Sequence, residues 1–235
     1  MIRPGGLKLT EIALQIWQLP RGSSVLDIGC GCGETVEYLG SRHGLNACGL
    51  DASEELINEG LARNPSLQLT RGDGENLREL PSETFEGVLL ECVLSIFANP
   101  AKVLGEVRRV LAPSGKLFIS DLYVVGSDGD LGINESASGQ LFLKEPTEER
   151  KSVNGANEAI TCISCRRFKL DALCACLLQI GFGSLRVEDW TEELDVYVAT
   201  KIMRDGNMSG CFFDGALTRA EKRRTGYFAL TAEKS

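Results

Sequence analysis

The sequence predicts an α/β fold, a three-layer α/β/α sandwich built on a mostly parallel sheet. Three observations predict it. Short apolar runs alternate with helix-period stretches through the first half of the chain. A glycine-rich turn, Gly29-Cys30-Gly31-Cys32-Gly33, joins the first apolar run to a helical pattern. Acidic residues, Asp27, Asp51 and Asp73, fall at or just beyond the ends of three successive runs.

The elements follow in order. Thr10 is placed to cap a first helix whose inner face is Ile12, Ala13, Ile16 and Trp17, with Pro20-Arg21-Gly22 ending it. Ser24 to Ile28 reads as strand 1, Asn46 to Leu50 as strand 2 and Leu67 to Arg71 as strand 3. Gly87 to Glu91 reads as strand 4 and Lys116 to Asp121 as strand 5. Leu56, Ile57, Gly60 and Leu61 make one helical stripe; Val103, Leu104, Val107, Val110 and Leu111 make a cleaner one. Pro113-Ser114-Gly115 stops that helix and turns the chain into strand 5. Residues 122 to 160 lose periodicity, as long functional or disordered loops do. Phe168 to Ile180 is again helical, with Leu170, Leu173, Cys174, Leu177 and Leu178 on one stripe. Leu185 to Trp190 reads as strand 6 and Thr225 to Ala232 as strand 7, with a helix between them facing inward through Leu194, Val198 and Ile202.

The 235 residues are expected to form one domain, 1–235. Residues 1–22 make an N-terminal arm and helix, and 122–167 and 191–224 are insertions that cap the acceptor side. No apolar run is long enough for a membrane span, and the N-terminus lacks signal-peptide features, so a cytoplasmic protein without a membrane partner is expected. A net charge of −8 argues against a nucleic-acid partner. Lys222-Arg223-Arg224 is read as a solvated face, and His43 as a surface residue.

The glycine loop carries the chemistry. Glycines are needed where a ligand lies against bare backbone or where φ is positive. The spacing is G-x-G-x-G with Asp27 two residues before it, not the G-x-G-x-x-G of a dinucleotide site. An anion beside the loop suits a ligand bearing an ammonium and a sulfonium better than a pyrophosphate. Asp51 is placed to accept hydrogen bonds from ribose hydroxyls, although capping the next helix would also explain it. Asp73 is placed to accept from an adenine amino group, although an Asp-Gly turn would also explain it.

With these motifs the segment from about residue 22 to 121 resembles the class I methyltransferases that use S-adenosylmethionine (SAM). The resemblance implies a Rossmann-like sheet of seven strands with the last antiparallel. It implies cofactor contacts at Asp27, Gly29, Cys30, Gly31, Asp51, Ala52, Asp73, Gly74 and Glu91, release of S-adenosylhomocysteine, and a small-molecule acceptor. The stretch Glu91-Cys92-Val93 is similar in part to the Asn-Cys-Val of arsenite methyltransferases, with Glu in place of Asn. That similarity, and the arm Arg3-Pro4-Gly5-Gly6-Leu7, make a thiol-bound metalloid a candidate acceptor. No catalytic residue stands out; Cys92, Cys162, Cys165 and Cys211 are candidates, and no metal site is expected. Cys162, Cys165, Cys174 and Cys176 could form a thiol cluster, but Cys174 fits a core stripe. Two other readings stay open: a non-catalytic SAM-binding or redox-responsive protein, and an NAD-binding oxidoreductase.

Overall fold

The computed structural model describes residues 3–125, 133–135, 140–143, 161–162, 167–205 and 225–235. Helix α1 (Leu7–Trp17) leads into β1 (Ser24–Ile28). Helix α2 (Glu34–Tyr38) runs on through a π-helical turn, Leu39–His43, to β2 (Asn46–Asp51). Helix α3 (Glu54–Arg63), β3 (Gln68–Arg71), β4 (Phe85–Glu91), a 3₁₀ turn (Leu94–Ile96), α4 (Pro100–Val110) and β5 (Leu111–Val124) follow. Short strands β6 (Ile133–Glu135), β7 (Gln140–Leu143), β8 (Thr161–Cys162) and β9 (Arg167–Phe168) come next. The chain ends with α5 (Leu170–Gln179), β10 (Phe182–Asp189), α6 (Thr191–Asp205) and β11 (Thr225–Lys234).

The sheet order is β3-β2-β1-β4-β5-β11-β10-β7-β6. β1 to β5 run parallel, and β11 is antiparallel to both β5 and β10, as expected of the last strand. The seven expected strands are all present, and β6 and β7 extend the sheet past β10. The order reverses between β1 and β4, which opens a crevice at the carboxyl ends of those strands.

Alternate residues of each strand enter opposite cores, which explains the near-continuous apolar runs. Leu26, Val88, Leu90, Leu117, Ile119 and Phe228 face α4 and α5. Val25, Leu89, Phe118 and Tyr227 face α1, α2, α3 and α6. Helix α4 is anchored by Val103, Leu104, Val107 and Val110, all fully buried and each worth about 1.5–3 kcal/mol of apolar transfer. Asn99 caps it by accepting from Lys102 N at 2.8 Å, and Pro100 opens its first turn.

Several expectations are corrected. Thr10 is not the cap of α1, which starts at Leu7 behind Gly6; Thr10 lies inside the helix and is buried. The inner face of α1 is Leu9, Thr10, Ala13, Leu14 and Trp17, leaving Ile16 exposed, because the helix is rotated to aim Thr10 at a buried carboxylate. Leu56, Leu178 and Ile202 are likewise exposed at the margins of their stripes, and Tyr197 takes the inward place on α6. β5 starts earlier than expected, at Leu111. Its pairing with β4 steps from Phe85↔Leu111 to Gly87↔Lys116, so Pro113-Ser114-Gly115 forms an irregularity inside the strand. At its other end β5 runs to Val124, and β6 and β7 lie in the stretch that lacks periodicity. Lys222-Arg223-Arg224 lies outside the described residues.

Candidate functional site

The loop after β1 is shaped by close packing and by a neighbouring carboxylate. Gly29 has φ +77°, and any Cβ there would collide with the Val93 side chain. Gly31 has φ +55°, and a Cβ there would meet nothing nearer than Leu56 at 4.0 Å, so its outer face is open. Gly29 N and Cys30 N both donate to Leu50 O, at 2.7 and 3.2 Å, which ties the loop to the end of β2. Gly31 N donates to Asp51 Oδ2 at 2.8 Å. The other oxygen of Asp51 accepts from Ser53 N at 2.8 Å. Asp51 is therefore not the cap of α3; Ser53 is, accepting from Leu56 N. The carboxylate stands between the loop and the β2 turn, half-buried, with lone pairs to spare.

Asp73 is exposed just beyond β3. Its Oδ1 accepts from Glu75 N at 2.9 Å, so the local turn is real as well as the placement. Gly74 is buried, and a Cβ there would lie 2.6 Å from Phe97. Ala52 is exposed next to Asp51. Cys30 and Cys32 are both buried; Cys30 packs against Gly49, and burial followed by the nearby Asp27 pushes its thiol far above the ordinary range.

The centre of the carboxyl edge holds a buried charged cluster, most of which the sequence reading did not foresee. Asp27 is buried, and its carboxyl is pushed up to about 7, first by burial and then by Glu91, with Asp51 adding to the rise and Arg3 opposing it. Glu91, at the end of β4, is also buried, and burial raises its carboxyl too. Arg3 Nη2 donates to Glu91 Oε2 at 2.7 Å, to Thr10 at 2.9 Å and to Thr35 at 3.0 Å. Thr10 Oγ1 donates to Glu91 Oε1 at 2.9 Å. Burial opposes the Arg3 charge, but Glu91 and Asp27 outweigh it and hold the guanidinium more firmly protonated. The arm Arg3-Pro4-Gly5-Gly6 is thus a turn that drives an arginine into the crevice. Only the positive-φ glycine pair hinted at it, at Gly5 and Gly6.

Next to this cluster Cys92 has φ +57°, unusual for a residue with a Cβ. Its Sγ lies 2.6 Å from Tyr227 Oη, and Tyr227 Oη donates to Ser120 Oγ at 3.0 Å. Burial, then Asp121, hold the Cys92 thiol well above its ordinary value, so it is a protonated thiol sealed in the core. Asp121 accepts from Ser95 N and Ser95 Oγ, both at 2.8 Å, and burial pushes it up to about 6. Cys174 is fully buried on the α5 stripe and Cys176 is half-buried. Cys165, Cys211 and the side chain of Cys162 lie outside the described residues. Among the described residues no group of His, Cys, Asp and Glu is arranged to hold a metal ion. His43 is partly exposed, beside Glu11 and edge-on to Tyr38.

A cavity of about 360 Å³ opens at the carboxyl end of β10, between Lys8 and the run Glu188 to Glu193. The Lys8 ammonium pairs there with Glu193 and lies 5.0 Å from the Trp190 ring centre. A second cavity, of about 390 Å³, lies at the β2–β3 edge against Cys48, Leu50, Thr70 and Leu77. Its walls belong to the α4 face of the sheet, away from the Asp27 cluster. Among the described residues no helix is long and apolar enough to cross a membrane.

The strand order agrees with the comparisons. Residues 26–119 match the family model of a methyltransferase domain. Over 120 residues the chain is 35% identical to the human thiol S-methyltransferase TMT1B, covering 47% of this chain and 48% of that protein. Over 124 residues it is 38% identical to the uncharacterized methyltransferase YodH of Bacillus subtilis, covering 49% and 50%. The chain thus spans about half the length of the curated relatives it matches. Phosphoethanolamine N-methyltransferase 2 of Haemonchus contortus, solved in complex with SAM, superposes with a TM-score of 0.68 at 19% identity, over 100% of this chain and 54% of that one. At that identity the likeness shows the fold. Residues 26–119 thus match a methyltransferase-domain family, and the fold is that of solved SAM-dependent methyltransferases.

Proposed function

We propose that this chain transfers a methyl group from SAM to a small-molecule acceptor. One observation carries the reading: Asp51 reaches across from β2 to the open face of the glycine loop at Gly31, next to the buried Asp27. That arrangement supports reading Asp51 as a ribose acceptor and Asp27 as an ammonium acceptor on either side of bare backbone. The residues fit the cofactor, because Gly31 leaves open space and the buried Nε of Arg3 has no partner. Asp27 and the backbone of Gly29, Cys30 and Gly31 would hold its amino-acid part. Asp51 would bind the ribose, Asp73 the adenine amino group, and Ala52 and Gly74 would flank the ring. Glu91 would act through Arg3, since its carboxylate is already engaged by Arg3 and Thr10. When bound, the cofactor supplies an electrophilic methyl on a sulfonium.

The acceptor class we favour is a small soft nucleophile, a thiol or a thiol-bound metalloid. A direct displacement of this kind depends on alignment and on excluding water rather than on a strong base. The name of the human relative supports a thiol acceptor, and the net charge of −8 argues against a polyanionic one. The arm at 1–22 and the segments 122–167 and 191–224 would build the acceptor side. Cys92 is a poor methyl relay, because its thiol is buried and protonated. Cys162, Cys165 and Cys211 remain the thiols to test for acceptor handling.

The test is turnover. The protein is incubated with SAM and with small thiols, arsenite plus glutathione, phenols or amines, and S-adenosylhomocysteine is quantified by chromatography. Thiol-dependent product is expected. SAM binding without product from any acceptor would instead favour a non-catalytic SAM-binding protein. Binding of NAD without SAM would overturn the reading.

A further inference from the structure

The cavity of about 360 Å³ at the carboxyl end of β10 has no part in the reading above. β10 is antiparallel to β11, and β11 to β5, so this end lies on the same edge of the sheet as the glycine loop. None of the residues that line the cavity belongs to that loop. Its lining includes the Trp190 ring, the carboxylates of Glu188, Asp189, Glu192 and Glu193, and the ammonium of Lys8. A cavity of this size is large enough for a small-molecule ligand.

The ring is fixed in place by its own contacts. Trp190 N donates to Tyr227 O at 2.7 Å, and the indole Nε1 donates to Glu188 Oε2 at 3.3 Å. Glu188 is held in turn by Arg186 at 2.6 Å. The Lys8 ammonium lies 5.0 Å from the ring centre, within the range at which an aromatic face attracts a cation. The face of Trp190 thus already takes a cation. That cation is loosely held: the Lys8 side chain is 58% exposed, and its ion pair with Glu193 is a surface pair, of a kind that adds little stability. The charges are also unequal. Arg186 offsets Glu188 and Lys8 offsets Glu193, which leaves Asp189 and Glu192 without a counter-charge on the cavity wall. An anion would meet that surplus as repulsion, and a neutral ligand would have nothing with which to replace Lys8.

We propose that this cavity binds a small organic cation, an alkylammonium, on the face of Trp190 with Glu193 as its counter-charge, and that Lys8 is the built-in occupant which the ligand displaces. The Lys8 head swings away on its flexible stem into water, where most of it already lies. The ligand ammonium then takes its place between ring and carboxylate. A quaternary ammonium suits the site best, because its charge is spread under an apolar surface that an indole face can cover. Lys8 competes for the same place, so the fraction of molecules in which it has swung out scales the apparent affinity. The site is separate from the cofactor loop, and the assignment holds whether or not the chain binds SAM.

Choline and its uncharged carbon isostere, dimethylbutanol, test this. Fluorescence reports on the site directly, since the chain has two tryptophans and the other, Trp17, is buried. Choline is expected to bind saturably and to change the Trp190 emission, with the isostere at least about tenfold weaker. Trp190→Leu should weaken choline about three- to tenfold in calorimetry, and Trp190→Phe, which keeps an aromatic face, by less. Lys8→Ala should tighten choline about two- to fivefold by emptying the place it fills. Lys102→Ala removes an exposed charge from α4 and should leave the affinity unchanged, so a gain confined to Lys8→Ala reads as displacement. Both lysines are exposed, so neither exchange threatens the fold. Equal binding of choline and the isostere would overturn the proposal, by making the cavity merely apolar. So would a choline affinity that falls or stays the same in Lys8→Ala, an affinity unchanged in Trp190→Leu, or the absence of saturable binding to the unaltered protein.

Discussion

The two halves of the carboxyl edge of the sheet are built on opposite plans. At the ends of β2 and β3, Asp51 and Asp73 are half-buried or exposed and rest on backbone N–H groups within two residues or in the neighbouring loop. At the centre, Glu91, Cys92, Asp121 and Tyr227 are buried and held mostly by partners far away in the chain. The first half can present its carboxylates to a ligand at little cost to the fold. The second half holds its polar groups where an unmet partner destabilises the core. Binding and stability are therefore expected to separate along this edge, with Asp27 and Arg3 at the seam.

The sharpest break in that contrast comes from Glu91→Ala. Removing one partner of a buried pair strands the other charge, so unfolding free energy should fall by about 3–5 kcal/mol in urea titrations. A loss below about 1 kcal/mol would show that Arg3 escapes to solvent. Asp51→Ala should act on the other property. Two charge-assisted hydrogen bonds to a ribose are worth about 3 kcal/mol, so cofactor affinity should drop roughly a hundredfold in calorimetry. Its melting temperature should move little. Tyr227→Phe leaves the Cys92 thiol and the Ser120 hydroxyl without their shared partner and should cost about 1–3 kcal/mol of stability. Cofactor affinity in that variant should stay within about twofold.

The seam itself responds to pH. Asp27 is raised to about 7 by burial, reinforced by Glu91 and Asp51 and opposed by Arg3. Its ionised form is the one that holds an ammonium, so SAM affinity should increase as pH rises through 7, by at most about tenfold per unit. Stability runs the other way. The protonated group is the one that burial favours, so its contribution is complete below the ordinary value of 3.8 and is lost as pH rises through 7. Asp27→Asn should flatten both profiles, and a pH dependence that survives in that variant would assign it to another group. The smallest effect is expected from the exposed Asp73. Asp73→Asn keeps one acceptor oxygen and should weaken the cofactor about three- to tenfold in the same titrations, with no change in stability.

The sequence by itself determined the architecture and pointed to the donor side. The apolar runs from β1 to β5 and the acids at or just beyond the ends of β1, β2 and β3 are local patterns, set by residues a few positions apart. The glycine spacing weighed against the dinucleotide arrangement for the same reason. Only the tertiary structure decided the charged centre. Arg3 meets Glu91 across 88 residues and Cys92 meets Tyr227 across 135, and no periodicity connects such positions. The same long-range contact turned Thr10 from an expected helix cap into a buried partner of Glu91. Strand register is what brings these side chains to one edge. Burial then gives them their chemistry, because desolvation raises Asp27 and silences the Cys92 thiol, and a sequence states which groups can ionise but not how much water surrounds them.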